Sequence, residues 1–465
     1  MIKLKLSEIA AFVDGELHGS DELVFGSVET DSRLVSGGAL FVAKPGEVTD
    51  GHKFLDSAKN LGAVGAIVEH IVSDVDLPQI VVEDSVAALG KLAKAVLARV
   101  KSAGNLKVIG ITGSNGKTST KNMLRAVLEQ FGETIAPIES YNNEVGAPIS
   151  VLKIDESTKY LVAELGAGGV GSIAYLADIT NPDIGVVLKV GLAHAGEFGG
   201  IEVTAKIKSE LVKALKSDDT FVYNFDDASV AEMTALTSGA KFSFGTNSAA
   251  NIYFDNVNLS IQGTSADIHY SDGEIARLTL HILGEHQLMN ATATIAVAEQ
   301  LGLPRIQVRQ ALEKMPLAER WRMQLTNRVD GISIINDAYN ASPDSMKAAL
   351  QTLAHLGKSG RRTIAVLGEM AELGEYSKES HDQIGRLVVR YNIDRLVVVG
   401  QGAKLIHMGA MFEGSWDGES IYFDSSSEAL DYIRGMLISG DIVLVKSSKS
   451  ANLRHLGDDL LEVQS

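Results

Sequence analysis

Hydrophobic and polar residues alternate along this chain of 465 residues in two recurring patterns. Short apolar runs bounded by glycine and polar residues are typical of buried strands, whereas apolar residues at every third or fourth position are typical of amphipathic helices. Over most of the chain the two patterns follow each other in turn. Such alternation indicates parallel sheets with helices on both faces.

The first part of the chain has the least regular pattern. Short strand candidates with the sequences ALFVA, AVGAIVEH and QIVVE alternate with short helices. A longer helix is predicted over residues 85–100, where apolar positions recur at helical spacing. We expect residues 1–104 to form a small mixed α/β N-terminal domain.

The middle of the chain, residues 105–318, has the most regular alternation. Its predicted strands include LKVIGIT, YLVAEL and IGVVLKV, and helices are predicted from Lys117, near SIAYLADI and through TAKIKSELVKAL. Between residues 251 and 283 the pattern is that of a β meander, and another helix is predicted after GEHQ. We expect a central parallel-sheet domain with this meander as an insertion.

The last part, residues 319–465, repeats the alternation on a smaller scale. It opens with ISIIND, and the further strands RTIAVLG, RLVVVG and DIVLVKS are each followed by a helical pattern. The length of this block lies within the usual range of a single domain. The sequence therefore predicts an α/β protein of three domains, the last of them Rossmann-like.

Composition excludes several classes of function. The formal net charge of −17 disfavours a nucleic-acid partner, because such a surface repels phosphate backbones. The chain has no cysteine, which rules out disulfides, zinc–thiolate sites and thiolate catalysis. We find no signal-peptide core and no apolar run of the roughly 20 residues that span a bilayer. We expect a cytoplasmic monomer that does not insert into membranes.

The sequence GITGSNGKTST at residues 110–120 joins the first central strand to the helix after it. Gly110, Gly113 and Gly116 give the spacing G-x-x-G-x-x-G-K-T, with Ile111 where the common phosphate-binding loop G-x-x-x-x-G-K-[ST] has glycine. Backbone N–H groups of such a turn attract anions, while its lysine reaches the phosphates and its threonine holds Mg²⁺. An ordinary strand–helix turn is the alternative, but Gly-Lys-Thr after a buried strand favours a nucleoside triphosphate site.

Further polar residues stand at or near the ends of predicted strands, where open α/β sheets place their sites. Glu164 and His194 follow strands of the central block, and a carboxylate there is suited to Mg²⁺. In the last block Asp337 closes a strand, and Arg322 before it can neutralise phosphate charge. A helix cap for Glu164 and a structural role for His194 are the alternatives.

Taken in order, these segments resemble the Mur ligase superfamily, ATP-dependent enzymes that form amide bonds in peptidoglycan precursor synthesis. Members carry a shortened loop, G-[ST]-[NS]-G-K-[TS], which is GSNGKT here, and the resemblance runs through all three domains. TDSRLVSGGALFVAKPGEVTDGHKFL, DAYNASPDSMKAAL and AVLGEMAELGEYS are similar to the branch that adds D-alanyl-D-alanine to UDP-N-acetylmuramoyl-tripeptide. The resemblance implies these two substrates, a UDP-sugar-binding first domain, an ATP-binding central domain and a last domain that contacts nucleotide and dipeptide.

The resemblance also implies residue roles around ATP and two Mg²⁺ ions. The expected ATP-binding residues are Gly113, Ser114, Asn115, Gly116, Lys117, Thr118, Ser119, Asn290, Arg322 and Asp337. The residues expected at the metal ions are Thr118, Glu164, His194 and, as a carbamate, Lys206. Those expected to carry catalysis are Lys117, Glu164, His194, Lys206, Arg322 and Asp337.

The remaining implied residues contact substrates. Those matched to the UDP-sugar substrate are Thr30, Asp31, Ser32, Arg33, Asp50, Gly51 and His52, together with Asn142 and Asn143. Tyr339 and Asn340 are expected near the incoming dipeptide.

Lys206 matches the lysine that many of these enzymes carry as a carbamate. A protonated lysine repels Mg²⁺, whereas a lysine of lowered pKa adds CO₂ and becomes an anionic oxygen ligand. The modification is a hypothesis, since a sequence does not record it.

Two positions depart from the family pattern. GEHQLMNA has Gln287 where the family usually has asparagine, a variant familiar in folylpolyglutamate synthases. NASP has Ser342 in place of asparagine, which still predicts a helix cap, with Pro343 in the first turn.

The resemblance implies that ATP phosphorylates the terminal carboxylate of the tripeptide, and that the amine of D-alanyl-D-alanine then displaces phosphate. Closure of the last domain over the central one is expected to complete the site. Two alternatives remain at this point. One is another ligase of the superfamily, of the MurE or folylpolyglutamate synthase type, and the other is a P-loop NTPase that hydrolyses ATP as a switch.

Overall fold

The computed structural model describes residues 1–46, 49–137, 141–192, 195–315, 320–414 and 419–462. Three α/β units follow one another along the chain, each built around its own sheet. The domain boundary expected near residue 318 lies outside the described residues, and the boundaries remain predictions.

The first unit is small and mixed. Its strands are β1 (Leu4–Lys5), β2 (Glu16–His18), β3 (Leu23–Val24), β4 (Val28–Glu29), β5 (Ala39–Val42), β6 (Ala63–Val68) and β7 (Gln79–Val81), and its helices are α1 (Leu6–Val13), α2 (Leu55–Asn60) and α3 (Ser85–Ser102). The main sheet has the order β2-β7-β6-β5-β4, in which only β2 runs antiparallel to its neighbour. The three strands and the long helix predicted here are confirmed.

The second unit has a nine-stranded sheet of order β16-β15-β14-β13-β12-β11-β8-β10-β9. The strands are β8 (Lys107–Thr112), β9 (Thr134–Ile135), β10 (Tyr160–Glu164), β11 (Ile184–Val187), β12 (Thr220–Asn224), β13 (Ala240–Gly245), β14 (Ile252–Ser260), β15 (Gly263–His269) and β16 (Ile275–Leu280). All pairs from β9 to β14 are parallel, and β14, β15 and β16 form an antiparallel meander. The predicted parallel sheet and its inserted meander are both confirmed.

Helices cover both faces of this sheet. They are α4 (Lys117–Leu128), α5 (Gly146–Val151), α6 (Ser172–Thr180), α7 (Ala195–Phe198), α8 (Ile201–Ala214), α9 (Ala228–Glu232), α10 (Glu285–Gln300) and α11 (Arg305–Glu313). One apolar core joins α4, α10 and α11 to the sheet, and another joins α6 and α8 to it. A third core runs from α3 of the first unit into β8 and β10, so the first two units share buried surface.

The third unit is a doubly wound sheet of order β17-β18-β22-β19-β20-β21. Its strands are β17 (Gln324–Asn327), β18 (Ser333–Asn336), β19 (Thr363–Leu367), β20 (Arg395–Val399), β21 (Ser420–Phe423) and β22 (Ile442–Lys446), and its helices are α12 (Pro343–Gly357), α13 (Ser377–Arg390), α14 (Lys404–Glu413), α15 (Ser426–Met436) and α16 (Leu453–Asp459). Helices α12, α13 and α14 pack on one face, and α15 and α16 on the other. This arrangement confirms the Rossmann-like prediction.

The carboxyl ends of the parallel strands in the second and third units face each other. On one side are the loops that follow β8, β10 and β11, and on the other are those that follow β18 and β22. Ligands of open α/β sheets bind at such ends. The fold therefore predicts a ligand site in the cleft between these two units.

Candidate active site

The cleft between the second and third units has a volume of about 460 Å³, within the usual range for a small-molecule site. It brings together thirteen of the residues predicted from the sequence: Ser114, Asn115, Gly116, Lys117, Thr118, Ser119, Asn142, Glu164, Asn290, Arg322, Asp337, Tyr339 and Asn340. Most of the residues expected around ATP are therefore on one surface, although they come from positions more than 200 residues apart in the chain.

The loop between β8 and α4 has the backbone of a phosphate-binding turn. Gly113 and Gly116 have φ values of +154° and +87°, which glycine adopts readily. A Cβ atom at Gly116 would lie 2.5 Å from Oδ1 of Asn290, so only glycine fits at this approach. The amino end of α4 then opens into the cleft, where its N–H groups can receive an anion.

Lys117, the first residue of α4, packs its side chain back against this turn. Its Nζ donates to the carbonyl oxygen of Gly113 over 2.7 Å. Burial lowers the pKa of Lys117, the nearby Glu164 carboxylate raises it, and the positive charge of Arg322 lowers it further. A bound polyphosphate would add negative charge beside Lys117 and favour its protonated form.

Glu164 ends β10 and is 1% exposed. Its Oε1 accepts hydrogen bonds from Asn142 Nδ2 at 2.8 Å and from Thr118 Oγ1 at 3.4 Å. Its Oε2 is buried and has no hydrogen-bond partner in the described part of the chain. A buried carboxylate oxygen beside a threonine hydroxyl is a donor set that fits Mg²⁺. No three histidine, aspartate or glutamate side chains converge on a common point within the described ranges, and His194 lies outside them.

Lys206 and Lys208, both on α8, differ in exposure. Lys206 is on α8, but its side chain is exposed and does not line the cleft. Lys208, two residues further along the helix, is 3% exposed and lines the cleft. Burial and then the charge of Lys117 lower the pKa of Lys208 to about 7. A lysine of lowered pKa that lines the cleft is the kind of side chain that a carbamate requires, and Lys208 has this property.

Arg322 lies on the third unit's side of the cleft. Its Nη2 lies 3.4 Å from Oγ1 of Thr118, and its guanidinium stacks 4.1 Å above the ring of Tyr339. Two further contacts join the units: Ser342 donates to Asn115 over 3.0 Å, and Lys189 forms an ion pair with Asp344 over 3.0 Å.

Asn290 and Gln287 lie on one face of α10, opposite the loop. Asn290 Nδ2 donates to Gln287 Oε1 over 3.1 Å, which directs the Asn290 carbonyl towards Gly116. Gln287 stands where the family usually has asparagine, and its side chain holds Asn290 in place through this hydrogen bond.

Apart from Asn142 and Asn143, the residues matched to the UDP-sugar substrate lie in the first unit, outside this cleft. Asp31 caps the turn that follows β4 and pairs with the exposed Arg33 at 2.6 Å. His52 is 5% exposed, and both of its ring nitrogens have partners, Asp50 Oδ1 at 2.6 Å and the N–H of Glu69 at 2.9 Å. His52 therefore positions this loop and has no nitrogen left for a ligand.

Several expected residues are outside the described lining of the cleft. They are Gly113, Lys206, Asn143, Thr30, Asp31, Ser32, Arg33, Asp50, Gly51 and His52. Asn143 lies just before α5, and its Oδ1 accepts the N–H of Gly146, the first residue of that helix, over 2.8 Å.

The sequence reasoning did not assign Lys208 or Lys446 to the site, and both line the cleft. The signal for Lys208 was present: Thr204, Ile207, Lys208 and Leu211 follow the i, i+3, i+4, i+7 pattern of a buried helix face. Lys446 is the last residue of an apolar strand, and Asp337 directly follows another. Open α/β sheets place their sites at such strand ends, so this rule could have identified Lys446 as well.

Comparisons with known proteins agree with this geometry. Three family models match the chain: Mur ligase family, catalytic domain, over residues 25–97, Mur ligase middle domain over 111–298, and Mur ligase, glutamate ligase domain, over 321–449. The UDP-N-acetylmuramoyl-tripeptide--D-alanyl-D-alanine ligase of Mycobacterium tuberculosis (strain ATCC 25618 / H37Rv) is 41% identical, over 99% of this chain and 98% of that protein.

Solved structures are similar over the same length. MurF from Acinetobacter baumannii has a TM-score of 0.89 at 30% identity and covers 99% of both chains. The MurF ligase of Thermotoga maritima, solved in complex with ADP, has a TM-score of 0.82 at 28% identity over 94% of this chain and 96% of that one.

Three α/β units with a phosphate-binding cleft between the second and the third define a class of ATP-dependent ligases. The chain belongs to the Mur ligase family, and the relatives described above, which match nearly its whole length, are D-alanyl-D-alanine-adding enzymes known as MurF.

Proposed function

We propose that the protein joins D-alanyl-D-alanine to UDP-N-acetylmuramoyl-tripeptide at the expense of ATP, giving the UDP-N-acetylmuramoyl-pentapeptide of peptidoglycan synthesis. The observation that carries this proposal is the cleft in which the phosphate-binding loop faces the turn of Tyr339 and Asn340. The full-length similarity to ligases of this name supports the choice of substrates.

The chemistry follows from the weakness of a carboxylate as an electrophile. ATP transfers its γ-phosphoryl group to the terminal carboxylate of the tripeptide, which gives an acyl phosphate and ADP. The neutral amine of the dipeptide attacks the acyl carbon, and inorganic phosphate leaves with the carboxylate oxygen. Lys117 and Arg322 offset the charge on the phosphates, and the cleft holds the reacting groups together.

The cation site belongs to this proposal. Glu164 and Thr118 are the described side chains that would hold Mg²⁺, and Asp337 and Asn290 would contact the nucleoside. When bound, Mg²⁺ offsets negative charge on the transferred phosphoryl group. Oε2 of Glu164, which has no hydrogen-bond partner among the described residues, supports a cation at this point. His194 and a second Mg²⁺ remain part of the proposal on the family resemblance alone.

We place the proposed carbamate at Lys208. A lysine whose pKa is lowered to about 7 has a large neutral fraction at neutral pH, and the neutral amine adds CO₂ with release of a proton. The product is an anion in a group of cations that includes Lys117 and Arg322.

We also propose that the UDP-sugar binds at the first unit. The loops after β4 and β5, with Thr30 to Arg33 and Asp50 to His52, lie at the carboxyl edge of its parallel strands. Asn142, beside Glu164, would then contact the part of the substrate that reaches the cleft.

Phosphate release measures this function directly. The purified protein is assayed with Mg²⁺-ATP alone, with either substrate, and with both, using lysine-containing and diaminopimelate-containing tripeptides in parallel. Turnover that requires both substrates, with one pentapeptide formed per phosphate, is the expected result. Turnover that is indifferent to them would favour the NTPase alternative and end the proposal.

None of the helices in the described ranges is long and apolar enough to cross a membrane. We propose that the enzyme works as a cytoplasmic monomer, on soluble substrates. Light scattering during gel filtration should give the mass of one chain, and a dimer mass would contradict this.

A further inference from the structure

A buried lysine lies at the centre of the third unit. Lys446 is the last residue of β22 and is 2% exposed. This strand comes last in the chain, yet it lies between β18 and β19. The Lys446 side chain therefore stands at the crevice where a doubly wound sheet binds its ligand.

Every donor of the Lys446 ammonium is used inside the protein. Nζ lies 2.6 Å from Oδ2 of Asp337, 3.0 Å from the carbonyl oxygen of Asn340 and 3.4 Å from that of Asp337. An ammonium has three donors, so none is left for a ligand. Lys446 thus acts on the site through Asp337 and Asn340.

The Asp337 contact extends to the phosphate end of the cleft. Oδ1 of Asp337 accepts the N–H of Met323 over 2.9 Å. Met323 and Trp321, the neighbours of Arg322, have φ values of +50° and +65°. Residues other than glycine keep such a backbone only when the surroundings hold it, and the Asp337 bond is one of the holding contacts.

The Asn340 contact extends to the other end of the cleft. The carbonyl of Asn340 belongs to the turn between β18 and α12, which also carries Tyr339 and ends at the helix cap Ser342. This turn faces the phosphate-binding loop, and Ser342 donates directly to Asn115 of that loop. The Lys446 ammonium therefore connects two parts of the site. It contacts the Asn340 turn directly, and it contacts the backbone beside Arg322 through Asp337.

We propose that Lys446 is a positioning residue, which fixes the nucleotide-binding and dipeptide-binding parts of the third unit relative to each other. This inference rests on the proposed ligase function. A purely structural ion pair would stabilise the fold without a preference between substrates, whereas a positioning residue affects only the substrates whose binding groups it orients.

The test compares steady-state constants of K446M, D337N and the double variant with those of the wild type. In K446M, kcat/KM is expected to fall about 100-fold, with higher KM for ATP and for D-alanyl-D-alanine. KM for the UDP-tripeptide should change less than about 2-fold, because its proposed site is in the first unit. In the D337N background, K446M should cost less than about 3-fold more, because its main partner is already neutral.

R362M is the matched control. Arg362 pairs with Asp441, which is 1% exposed and precedes the same strand at its opposite end, through contacts of 2.9 and 2.6 Å. R362M should lower thermal stability as K446M does, without raising KM for ATP or for the dipeptide. If K446M does not yield folded protein, K446Q takes its place.

Three results would overturn the inference: an unchanged KM for ATP and dipeptide, an equal rise in KM for all three substrates, or equal losses from K446M with and without D337N. The proposed function is judged separately by the wild type. A wild type that forms no pentapeptide contradicts the ligase assignment, whereas an active wild type with additive variants contradicts only the role of Lys446.

Discussion

At the scale of single residues, exposure on α8 distinguishes Lys206 from Lys208, which the match to the family pattern does not do. Lys206 and Lys208 differ by two positions and therefore lie on opposite sides of the helix. Matching motif letters selected Lys206, whereas the helical spacing of buried positions selects Lys208. The proposal for Lys208 rests on this periodicity, because burial is what lowers the pKa of an amine.

The two lysines give a matched pair of variants. K208A should lose most activity, by about 100-fold or more, because it removes the group proposed to become an anion at the cation site. K206A should stay within about 2-fold of the wild type, because Lys206 is exposed. The measurement is kcat for pentapeptide formation, with short carboxylic acids added to K208A as rescue. Loss of activity in K206A, with K208A active, would reverse the assignment.

His286 provides a pH-dependent prediction. Burial lowers the pKa of His286 to about 4, and the charge of Lys446 lowers it while that of Asp337 raises it. The unfolded chain therefore binds a proton near pH 6.5 that the folded chain does not bind. The stability contributed by the neutral ring is complete above pH 6.5 and is lost as the pH falls towards 4.

Urea unfolding at several pH values measures this effect. Between pH 6 and 4.5 the free energy of unfolding of the wild type should fall more steeply than that of H286Q, by about 1.4 kcal/mol per pH unit. Parallel curves for the two proteins would show that His286 does not titrate in this way.

At the scale of elements, the start of α12 joins stability to the site. Ser342 caps this helix through the N–H of Ser345, with Pro343 in the first turn, as the sequence predicted. Its hydroxyl also contacts Asn115 of the phosphate-binding loop over 3.0 Å. Ser342 therefore both caps α12 and connects the third unit to the second.

S342A should cost about 1 kcal/mol of stability and raise KM for ATP about 3- to 10-fold. D84A is the control, because Asp84 caps α3 through the N–H groups of Val86 and Ala87, in the first unit. D84A should cost a similar free energy of unfolding and leave KM for ATP unchanged. Equal KM values in the two variants would contradict a role for the Ser342–Asn115 contact.

Some elements were predictable from the sequence, and others, the strands β12 and β13 of the second unit among them, were not. The strand before the loop and the helix after it were correct to within one residue, because apolar runs and helical spacing are clear there. The edge strands β17 and β21 of the third unit were missed. Each has four residues, mostly half-buried, so it depends on its neighbour in the sheet more than on its own pattern.

At the scale of the whole molecule, two glycines lie at the contact between the second and third units. A Cβ atom at Gly374 would lie 2.8 Å from the Cα of Gly196 in α7. Gly374 has a φ of +52° and sits in the stretch AELGEYS. This approach has no room for a side chain, so it sets how closely the two units come together.

G374A should hinder closure of the third unit. The expected result is a kcat at least about 10-fold lower, an unchanged KM for the UDP-tripeptide, and little compaction in X-ray scattering when an ATP analogue and the UDP-tripeptide are added. G360A is the control: Gly360 also has a positive φ, of +85°, but nothing lies within 4 Å of its Cβ position. Equal compaction of G374A and the wild type would contradict this role.

Much of the candidate site was predictable, but its assembly was not. Motif spacing identified Lys117 and Glu164, because loop and strand end are local features. Arg322 is about 200 residues from Thr118, and only the folded chain places the two 3.4 Å apart. Lys446 and Lys208 were missed because the feature that marks each of them is burial at the cleft, and not a motif.

The most direct test of the central claim follows an oxygen atom. UDP-N-acetylmuramoyl-tripeptide labelled with ¹⁸O in its terminal carboxylate is incubated with the protein, Mg²⁺-ATP and D-alanyl-D-alanine, and the inorganic phosphate is analysed by mass spectrometry. Activation through an acyl phosphate predicts one ¹⁸O atom in each phosphate released, in step with the pentapeptide formed. Unlabelled phosphate, released whether or not the dipeptide is present, would contradict the account.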